Sequence, residues 1–551
     1  MENQRLLPII ALLFILFLLW QNWMEFQARK HAPSPVAVAP VTAGQEEARP
    51  ETQAPAARDV PSVTPGPAPA PTVLESGQRV KVVTDVFEAE IDTLGGDLRR
   101  LGLRTYPESL QNKNPFLLLQ DNKTDLFIVQ SGLGSSHSPA PNHYARFVPE
   151  QTDYQLQDGQ NSLEVRLSWS EGGIQVIKTY TFHRGSFVID LNQRVENTGT
   201  EEWRGWQYRQ LQRIPPPRSG GMFGGVYTYT GGVISTPEKN YEKIPFDAMT
   251  KENLNLTVTD GWVAMIQHYF LTALVPNKEQ IDTFYTKVID GNRYVLGMLG
   301  QPQTVPAGGT GDFSTRLYAG PKIQSILEQV APNLRLTVDY GYLTIIAQPL
   351  FWLLKAIHKV VGNWGWAIII LTVLIKAVFF KLSETSYRSM ARMRNLAPKI
   401  NSIKERYGDD KQRMNQAMME LYKKEKINPL GGCLPIAVQI PVFIALYWML
   451  LESVELRQAP FMLWIQDLAV KDPYYVLPII MGITMVIQQK LNPPPPDPTQ
   501  AKVMMVLPIV FTVMFLWFPA GLVLYWVVSN ILSIIQQYAI TRRMEAATAK
   551  R

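Results

Sequence analysis

The sequence predicts a multispanning α-helical membrane protein with six spans and one large external antiparallel β-sandwich domain. Two observations support this fold class. The long apolar runs lie almost entirely after residue 339, apart from one near the N-terminus, and residues 75–325 alternate apolar and polar side chains with the period of a β-strand. At 551 residues the chain is long enough for more than one domain.

The first 28 residues are predicted to form a signal-anchor transmembrane helix. Residues 6–23 are apolar, and the nearest small-x-small site, residues 37–39, lies well beyond them and is followed by Pro40. A cleavable signal peptide is the alternative, but this spacing favours an uncleaved anchor. Residues 29–74 are rich in Pro and Ala and predict an extended linker, because such a segment cannot bury a core.

Residues 75–335 are predicted to form the β-sandwich. Leu163, Val165 and Leu167 alternate with polar residues, and further strand-like runs follow, separated by turn signals such as Gly95-Gly96 and Gly231-Gly232. The pattern leaves open whether the domain binds anything. Residues 336–361 are apolar but contain Gln348-Pro349 and end in basic residues, which favours an amphipathic helix at the membrane interface.

Residues 363–383 form an apolar run with one internal charge, Lys376. As a helix of about 1.5 Å rise per residue, this run is long enough to cross a bilayer. A lysine within a span costs about 2.5 to 3.5 kcal/mol near the centre, which marks it as a candidate functional residue. The alternative is snorkelling towards the headgroups, since Lys381 lies only five residues further on.

Residues 383–430 are predicted to form a helical hairpin on the cytoplasmic side. Between residues 383 and 432 the chain carries eleven Lys and Arg against six Asp and Glu, and basic loops beside spans mark the cytoplasm. The candidate basic residues of this hairpin are Arg388, Arg392, Arg394, Lys399, Lys404 and Arg406.

Four further apolar runs complete a core of five spans within residues 362–541, followed by a basic cytoplasmic tail at residues 542–551. They cover residues 433–451, 475–489, 503–518 and 522–540. With the hairpin inside, the β-domain lies outside and both chain termini are cytoplasmic.

Polar residues recur inside these spans. Thr372 shares a helix face with Lys376, and Gln439 interrupts the next span. The last span carries a stripe at spacings of four, three and four residues, formed by Trp526, Asn530, Ser533 and Gln537. Such groups can be hydrogen-bonding glue between helices. A hydrated cleft is favoured, because no span offers an acid to pair with Lys376.

Several function classes lack their usual motifs. The chain has one cysteine, six scattered histidines, and no HExxH, CxxC, Walker A or GxSxG sequence, so no metal, cofactor or enzymatic site is predicted. The positive charge is better explained by topology than by specific nucleic-acid binding. A transporter or channel is the alternative function, although internal repeats and paired intramembrane charges are missing from the sequence.

The segments NPLGGCLPIAVQIPVFIALYWML, SVELRQAPFMLWIQDL and FLWFPAGLVLYWVVSNILSIIQQ carry motifs that resemble the YidC family of bacterial membrane protein insertases, in its Gram-negative form. The resemblance is close over residues 342–537 and looser in the external domain, which it implies to be periplasmic and similar to sugar-epimerase folds.

The resemblance implies a hydrated intramembrane groove in the bacterial inner membrane, open to cytoplasm and lipid. Lys376 would be its charge, and Thr372, Gln439, Trp526, Asn530 and Ser533 would line it and contact clients. Implied partners are nascent membrane proteins, the Sec translocon, membrane lipids and, transiently, the ribosome and targeting receptor; the chain would act as a monomer. Lys376 stands where the family usually has arginine, and Trp526 where relatives have tyrosine.

Overall fold

The computed structural model describes residues 74–217, 228–290, 292–408, 410–425, 434–492 and 498–549. These residues divide into a β-rich unit that ends at Val338 and a helical unit that begins at Asp339. The predicted signal anchor and nearly all of the linker fall outside the described residues, as do the proline-rich turn at residues 493–496 and the last two residues of the tail.

The β-rich unit is a large sandwich of two sheets, as predicted. The first sheet has the strand order β14-β17-β18-β11-β5-β4-β3-β2-β1-β7, with β19 pairing beside β11. Its pairs are antiparallel except β1 with β7. The strands of this sheet are β1 (Arg79–Val83), β2 (Phe87–Asp92), β3 (Asp97–Pro107), β4 (Pro115–Asp121), β5 (Leu126–Ser135), β7 (Asp153–Gln155), β11 (Trp203–Arg213), β14 (Asn255–Thr259), β17 (Ile281–Ile289), β18 (Arg293–Gly300) and β19 (Gln303–Val305).

The second sheet is antiparallel and runs in the order β13-β12-β15-β16-β20-β10-β9-β8-β6. Its strands are β6 (Val148–Pro149), β8 (Ser162–Glu171), β9 (Ile174–His183), β10 (Val188–Asn197), β12 (Thr230–Ser235), β13 (Glu242–Ile244), β15 (Trp262–Gln267), β16 (Phe270–Val275) and β20 (Thr310–Pro321). Two short helices, α1 (Phe246–Lys251) and α2 (Gln324–Val330), accompany the sheets.

The period-two pattern of apolar residues corresponds to alternating burial along the strands. Along β9 every second residue is buried, and β10 pairs with it in register, Leu191 opposite Tyr180. One central strand departs from the pattern, because β11 is buried on both faces although it contains Gln207, Arg209 and Arg213. The buried Arg209 guanidinium donates to Asp282 at 2.8 Å, which offsets part of its desolvation cost.

The helical unit contains nine described helices: α3 (Thr344–Val361), α4 (Trp364–Val378), α5 (Phe380–Asn395), α6 (Ala397–Tyr407), α7 (Lys411–Lys424), α8 (Leu434–Glu452), α9 (Val476–Leu491), α10 (Pro498–Phe515) and α11 (Ala520–Ala549). The longest, α11, packs against α4, α5, α8 and α9. Helix α3 packs on α4 and α8, and α6 packs on α7.

The expectation of one continuous helix over residues 363–383 is wrong. Helix α4 ends at Val378, and the next helix, α5, turns away from it by 66°. The side-chain amide of Gln536 donates to the carbonyl of Phe380 at 3.2 Å, so a neighbouring helix supplies a partner at the bend. The chain therefore bends after the helix that carries Lys376 and before the predicted hairpin begins at residue 383.

The hairpin has one break more than the periodicity indicates. The apolar residues Met390 and Ile400 have helical spacing in the sequence, but they lie on two helices, α5 and α6, which are separated at Leu396. Pro398 explains the break, because it lacks an N–H and is tolerated only in the first turn of a helix. Beyond the break, Leu396 and Ile400 pack against Met418 and Tyr422 of α7.

By length and composition, two or three membrane crossings are found among the described helices. Residues Gly341–Val361 and Ala520–Met544 qualify alone, and the bent pair α4 and α5 qualifies together. Three shorter apolar helices are Val438–Glu452, Val476–Leu491 and Ala501–Phe515. A helix of 16 residues such as α9 is about 24 Å long, short of the hydrocarbon thickness of about 30 Å. The expected count of six spans is not reached by this criterion.

Candidate functional site

The Lys376 side chain lies where helices α4, α8 and α11 meet. Its ammonium donates to Gln439 Oε1 at 3.1 Å and to Ser533 Oγ at 2.8 Å. Gln439 is on α8 and Ser533 is on α11, so the structure brings three of the predicted site residues into direct contact. Both acceptors are neutral, and the contacts therefore orient the ammonium without cancelling its charge.

The charge of Lys376 has no acidic partner among the residues that the structure describes. No Asp or Glu side chain in those ranges lies within 4.0 Å of its ammonium. Ser533 itself is anchored, since its hydroxyl donates to the backbone carbonyl of Ser529 at 2.8 Å. The result is a partly buried cation held by fixed neutral dipoles.

The polar stripe of α11 continues on both sides of this contact. Asn530 is buried, and its side-chain amide donates to Thr484 Oγ1 on α9 at 3.1 Å. One turn beyond Ser533, the buried Gln537 donates to Asn492 Oδ1 at 3.0 Å. Asn492 carries no periodic signal in the sequence, because it follows the last residue of α9 and only packing brings it to Gln537.

Two predicted lining residues make contacts of a different kind. Thr372 is buried, and its hydroxyl donates to the carbonyl of Ile368 in its own helix at 2.7 Å. Trp526 packs edge-on against Phe443 of α8 and Phe515 of α10, with ring centroids 4.5 and 4.9 Å apart. Within the described ranges, neither side chain is hydrogen-bonded to the ammonium of Lys376.

The basic residues of the hairpin fall into two groups. Arg388 donates to Glu384 at 2.6 Å and Lys399 to Glu425 at 2.6 Å, so their charges are largely compensated. Arg392, Arg394 and Arg406 are exposed, and within the described ranges no acid lies in salt-bridge distance of them. The side chain of Lys404 is outside what the structure describes.

A buried ionisable cluster lies in the β-sandwich, where the sequence gives no motif. The Lys178 ammonium donates to the carbonyls of Gly95 at 2.8 Å and Ser131 at 2.9 Å. Burial lowers the pKa of Lys178 to about 8, opposed by the nearby charge of Asp97. Burial also raises the pKa of Asp97, while Arg99 and Lys178 act against that shift. Fixed carbonyl dipoles make this cluster a structural element of the core.

In the described part of the chain, no group of three His, Cys, Asp or Glu side chains could hold a metal ion.

Two family profiles together match most of the chain. The YidC periplasmic domain matches residues 79–353, and the 60Kd inner membrane protein family matches residues 356–548. These matches make the chain an inner membrane protein with a periplasmic domain.

Full-length relatives carry one common name. Proteins from Methylococcus capsulatus and Thioalkalivibrio sulfidiphilus are each 52% identical over the full length of both chains, and one from Pseudomonas putida is 48% identical over the same share. Each of the three is named membrane protein insertase YidC. The transporter or channel alternative gains no support from these relatives.

Solved structures give weaker similarities. A crystal structure described as an active YidC insertase with its first transmembrane domain resolved matches 84% of this chain and 92% of that chain, at 16% identity and a TM-score of 0.37. A galactose mutarotase-like protein from Lactobacillus casei matches 44% of this chain and 99% of that chain, at 9% identity and a TM-score of 0.29. At these TM-scores the two structural similarities support no argument. The sequence identity of the full-length relatives decides the family: the chain belongs to the YidC family of membrane protein insertases.

Proposed function

We propose that this protein inserts nascent inner-membrane proteins, and helps them fold, through a hydrated groove whose positive charge is Lys376. The observation that carries the proposal is the contact of one cation, Lys376, with two neutral acceptors, Gln439 and Ser533, at the junction of three helices. A protein that used this lysine only as structural glue would be expected to pair it with a carboxylate.

The ammonium has capacity left for a client. A protonated lysine has three donor hydrogens, and the contacts to Gln439 and Ser533 account for two of them. Among the described residues no other acceptor is hydrogen-bonded to the ammonium, so the third hydrogen is available to an acidic side chain or a backbone carbonyl of a client. At 4 Å and an effective dielectric constant of about 20, the attraction between this charge and a client carboxylate is about 4 kcal/mol.

The groove lowers the cost of moving polar groups into the membrane. A client's polar end enters a water-filled cleft and keeps part of its hydration, while its apolar helix partitions into lipid and drives the step. The membrane potential assists an acidic segment. Thr372, Gln439, Asn530 and Ser533 form the polar walls of this cleft, and Trp526 with its aromatic neighbours forms an apolar wall.

The finer topology belongs to the same proposal. Six spans, five of them in the insertase core of residues 362–541, place both termini and the hairpin of residues 383–430 in the cytoplasm. Residues Gly341–Val361 are long and apolar enough to cross a membrane, but Gln348-Pro349 and the basic end of α3 favour a place at the membrane interface, from which α3 leads into the bent span. Short helices such as α9 are compatible with a locally thinned bilayer, because a short hydrophobic stretch is accommodated by thinning.

Different partners are proposed for the cytoplasmic segments and for the periplasmic domain with the spans. The exposed Arg392, Arg394 and Arg406 would receive clients or contact the ribosome and the targeting receptor, and the basic tail would assist. The Sec translocon would cooperate through the periplasmic domain and the spans. The protein would act as a monomer among membrane lipids, without a cofactor.

The experiment that tests the proposal is complementation after depletion of the native protein. Variants Lys376→Glu, Lys376→Gln and Lys376→Arg are expressed at equal levels, and the protease-protected fraction of a small client with an acidic tail is measured. Insertion is expected to fall most for Lys376→Glu, less for Lys376→Gln, and least for Lys376→Arg, which retains the charge. Undiminished insertion with Lys376→Glu would exclude the role assigned to this residue.

A further inference from the structure

The loop between α8 and α9, residues 453–475, is held in a fixed shape at one end of the helical unit. The side-chain amide of Asn363, at the start of α4, donates to the carbonyls of Pro460 at 3.1 Å and Phe461 at 3.0 Å. At the start of α11, the backbone N–H of Gly521 donates to Leu468 O at 2.9 Å. These bonds tie the loop to the first residues of two helices.

A buried carboxylate fixes the second half of the loop. Asp472 accepts hydrogen bonds from Trp464 Nε1 at 3.0 Å and from the backbone N–H groups of Tyr474 at 3.0 Å and Leu477 at 2.7 Å. The last of these donors lies in the first turn of α9, where such a bond satisfies an otherwise unpaired N–H. The loop is therefore a rigid frame.

The tip of this frame presents apolar side chains outward. Met462 is 44% exposed and Leu463 is 71% exposed, and residues 458–466 carry no charge. Leu463 adopts a left-handed backbone conformation, with φ of 54°. That conformation is unfavourable for a residue other than glycine, so the exposed leucine is retained here against a conformational cost.

The tip is continuous with an exposed apolar surface of α4. The Phe461 ring, next to Met462, packs edge-on against Trp366 of α4 with centroids 5.7 Å apart. Trp366 begins a stripe of exposed apolar residues along that helix: Ile370, Val373 and Leu374. In an inner membrane protein such a stripe faces lipid, and tryptophan is typical of its end at the headgroups.

We propose that Met462 and Leu463 form a lipid anchor that inserts into the boundary between headgroups and acyl chains, in the leaflet at the end of the molecule where α4 begins. The rigid frame keeps both side chains at a fixed height beside Trp366. Removing the exposed Leu463 side chain from water is favourable, and this gain opposes the backbone cost at that residue. The partner of this surface is the membrane itself.

Spin labelling of the full-length protein in nanodiscs of phosphatidylethanolamine and phosphatidylglycerol tests the anchor. The single cysteine is removed as Cys433→Ser, and a nitroxide is attached through Leu463→Cys. Asp158→Cys, in an exposed turn of the periplasmic domain, supplies the matched label in water. Both variants must elute as the unlabelled protein does in gel filtration.

The label at residue 463 is expected to collide more with oxygen than with a water-soluble nickel chelate, with the reverse at residue 158. The opposite preference of the two labels for oxygen and for the nickel chelate would show that residue 463 contacts lipid and residue 158 contacts water. A label at residue 463 that favours the nickel chelate would overturn the anchor, because the tip would then lie in water. Low collision with both reagents would also overturn it, since protein would then cover the tip.

Discussion

At the scale of single residues, the ammonium of Lys376 is the feature on which the proposed activity depends. Lysine is a compact charge on a flexible stem, whereas arginine offers a planar fork of five donors. Gln439 Oε1 and Ser533 Oγ provide two separate acceptors at 3.1 and 2.8 Å, which suits a compact ammonium. These acceptors suit the lysine at this position, where the family resemblance led us to expect arginine.

A double-mutant cycle measures this dependence. Gln439→Leu is expected to destabilise the protein by about 1 to 3 kcal/mol, because it leaves a partly buried ammonium without one acceptor. In the background of Lys376→Met the same substitution is expected to cost much less, since no charge then needs the amide. Thermal unfolding in detergent gives both values. Equal costs in the two backgrounds would mean that Gln439 does not act on Lys376.

A second residue-scale prediction concerns Lys178 in the periplasmic domain. Its pKa is about 8 in the folded protein against 10.5 in the unfolded chain, so the unfolded chain binds more protons between these values. Stability should therefore rise with pH from about 8 to 10.5, by up to about 1.4 kcal/mol per pH unit. Below pH 8 the cost of the buried ammonium is fully present.

Pulse proteolysis in urea, across this pH window, checks the Lys178 prediction. Lys178→Met is expected to remove the rise, whatever its effect on stability at neutral pH. Lys81→Met, on an exposed side chain of β1, is the control and should leave the slope unchanged. A slope that is the same in Lys178→Met and in the native protein contradicts the shifted pKa.

The sequence marks polar candidates inside the apolar runs, but it does not show which residues they contact. The spacing of Asn530, Ser533 and Gln537 places them on one helix face, and a lysine in an apolar run is visible at once. That Ser533 meets Lys376, or that Asn530 meets Thr484, depends on how three helices pack. Helix periodicity shows which residues share one face of a helix, but it does not show which other helix packs against that face.

At the scale of elements, the breaks between consecutive helices are the feature that apolar periodicity does not predict. Apolar periodicity continues across Phe379 and Leu396, yet the chain bends at the first and starts a new helix at the second. The bend at Phe379 coincides with a hydrogen bond from Gln536, a long-range contact. Pro398 marks the second break locally and is the signal that could have been used.

Strand β11 is an element that the alternating pattern does not reveal. It contains Arg209, Gln210, Gln212 and Arg213, and such a polar sequence is not typical of a central strand. Its side chains are nevertheless buried, with partners from other strands such as Asp282 and Gln130. Alternation of apolar and polar residues identifies strands that have one face in water, whereas β11 is buried on both faces over nearly its whole length.

The hairpin yields a prediction from its charge pairing. Arg392→Glu, Arg394→Glu and Arg406→Glu together should weaken co-sedimentation with ribosomes, because these exposed guanidinium groups have no compensating acid in the described ranges. Lys399→Glu is the matched control, since the ammonium of Lys399 is already paired with Glu425. Each of the three substitutions is also made singly, so that every variant compared with the control reverses one charge. Equal losses for the control and for each of these single variants would contradict the distinction.

At the scale of the whole molecule, the two-part architecture and the family were both predictable. The β-sandwich and the apolar C-terminal region follow from a change of period, from two to that of a helix, and both are confirmed. The family prediction is confirmed by relatives 52% identical over the full chain. The number of spans stays a prediction, because several described helices are shorter than a bilayer is thick.

The whole-molecule account makes Lys376 the electrostatic partner of the client, and an exchange of charges tests that claim most directly. After depletion of the native protein, Lys376→Glu is supplied together with either an acidic-tailed client or the same client whose tail acid is replaced by lysine. The account expects insertion of the acidic client to fall sharply and insertion of the lysine-tailed client to hold or improve. Equal losses for both clients, with the variant folded and expressed normally, would contradict it.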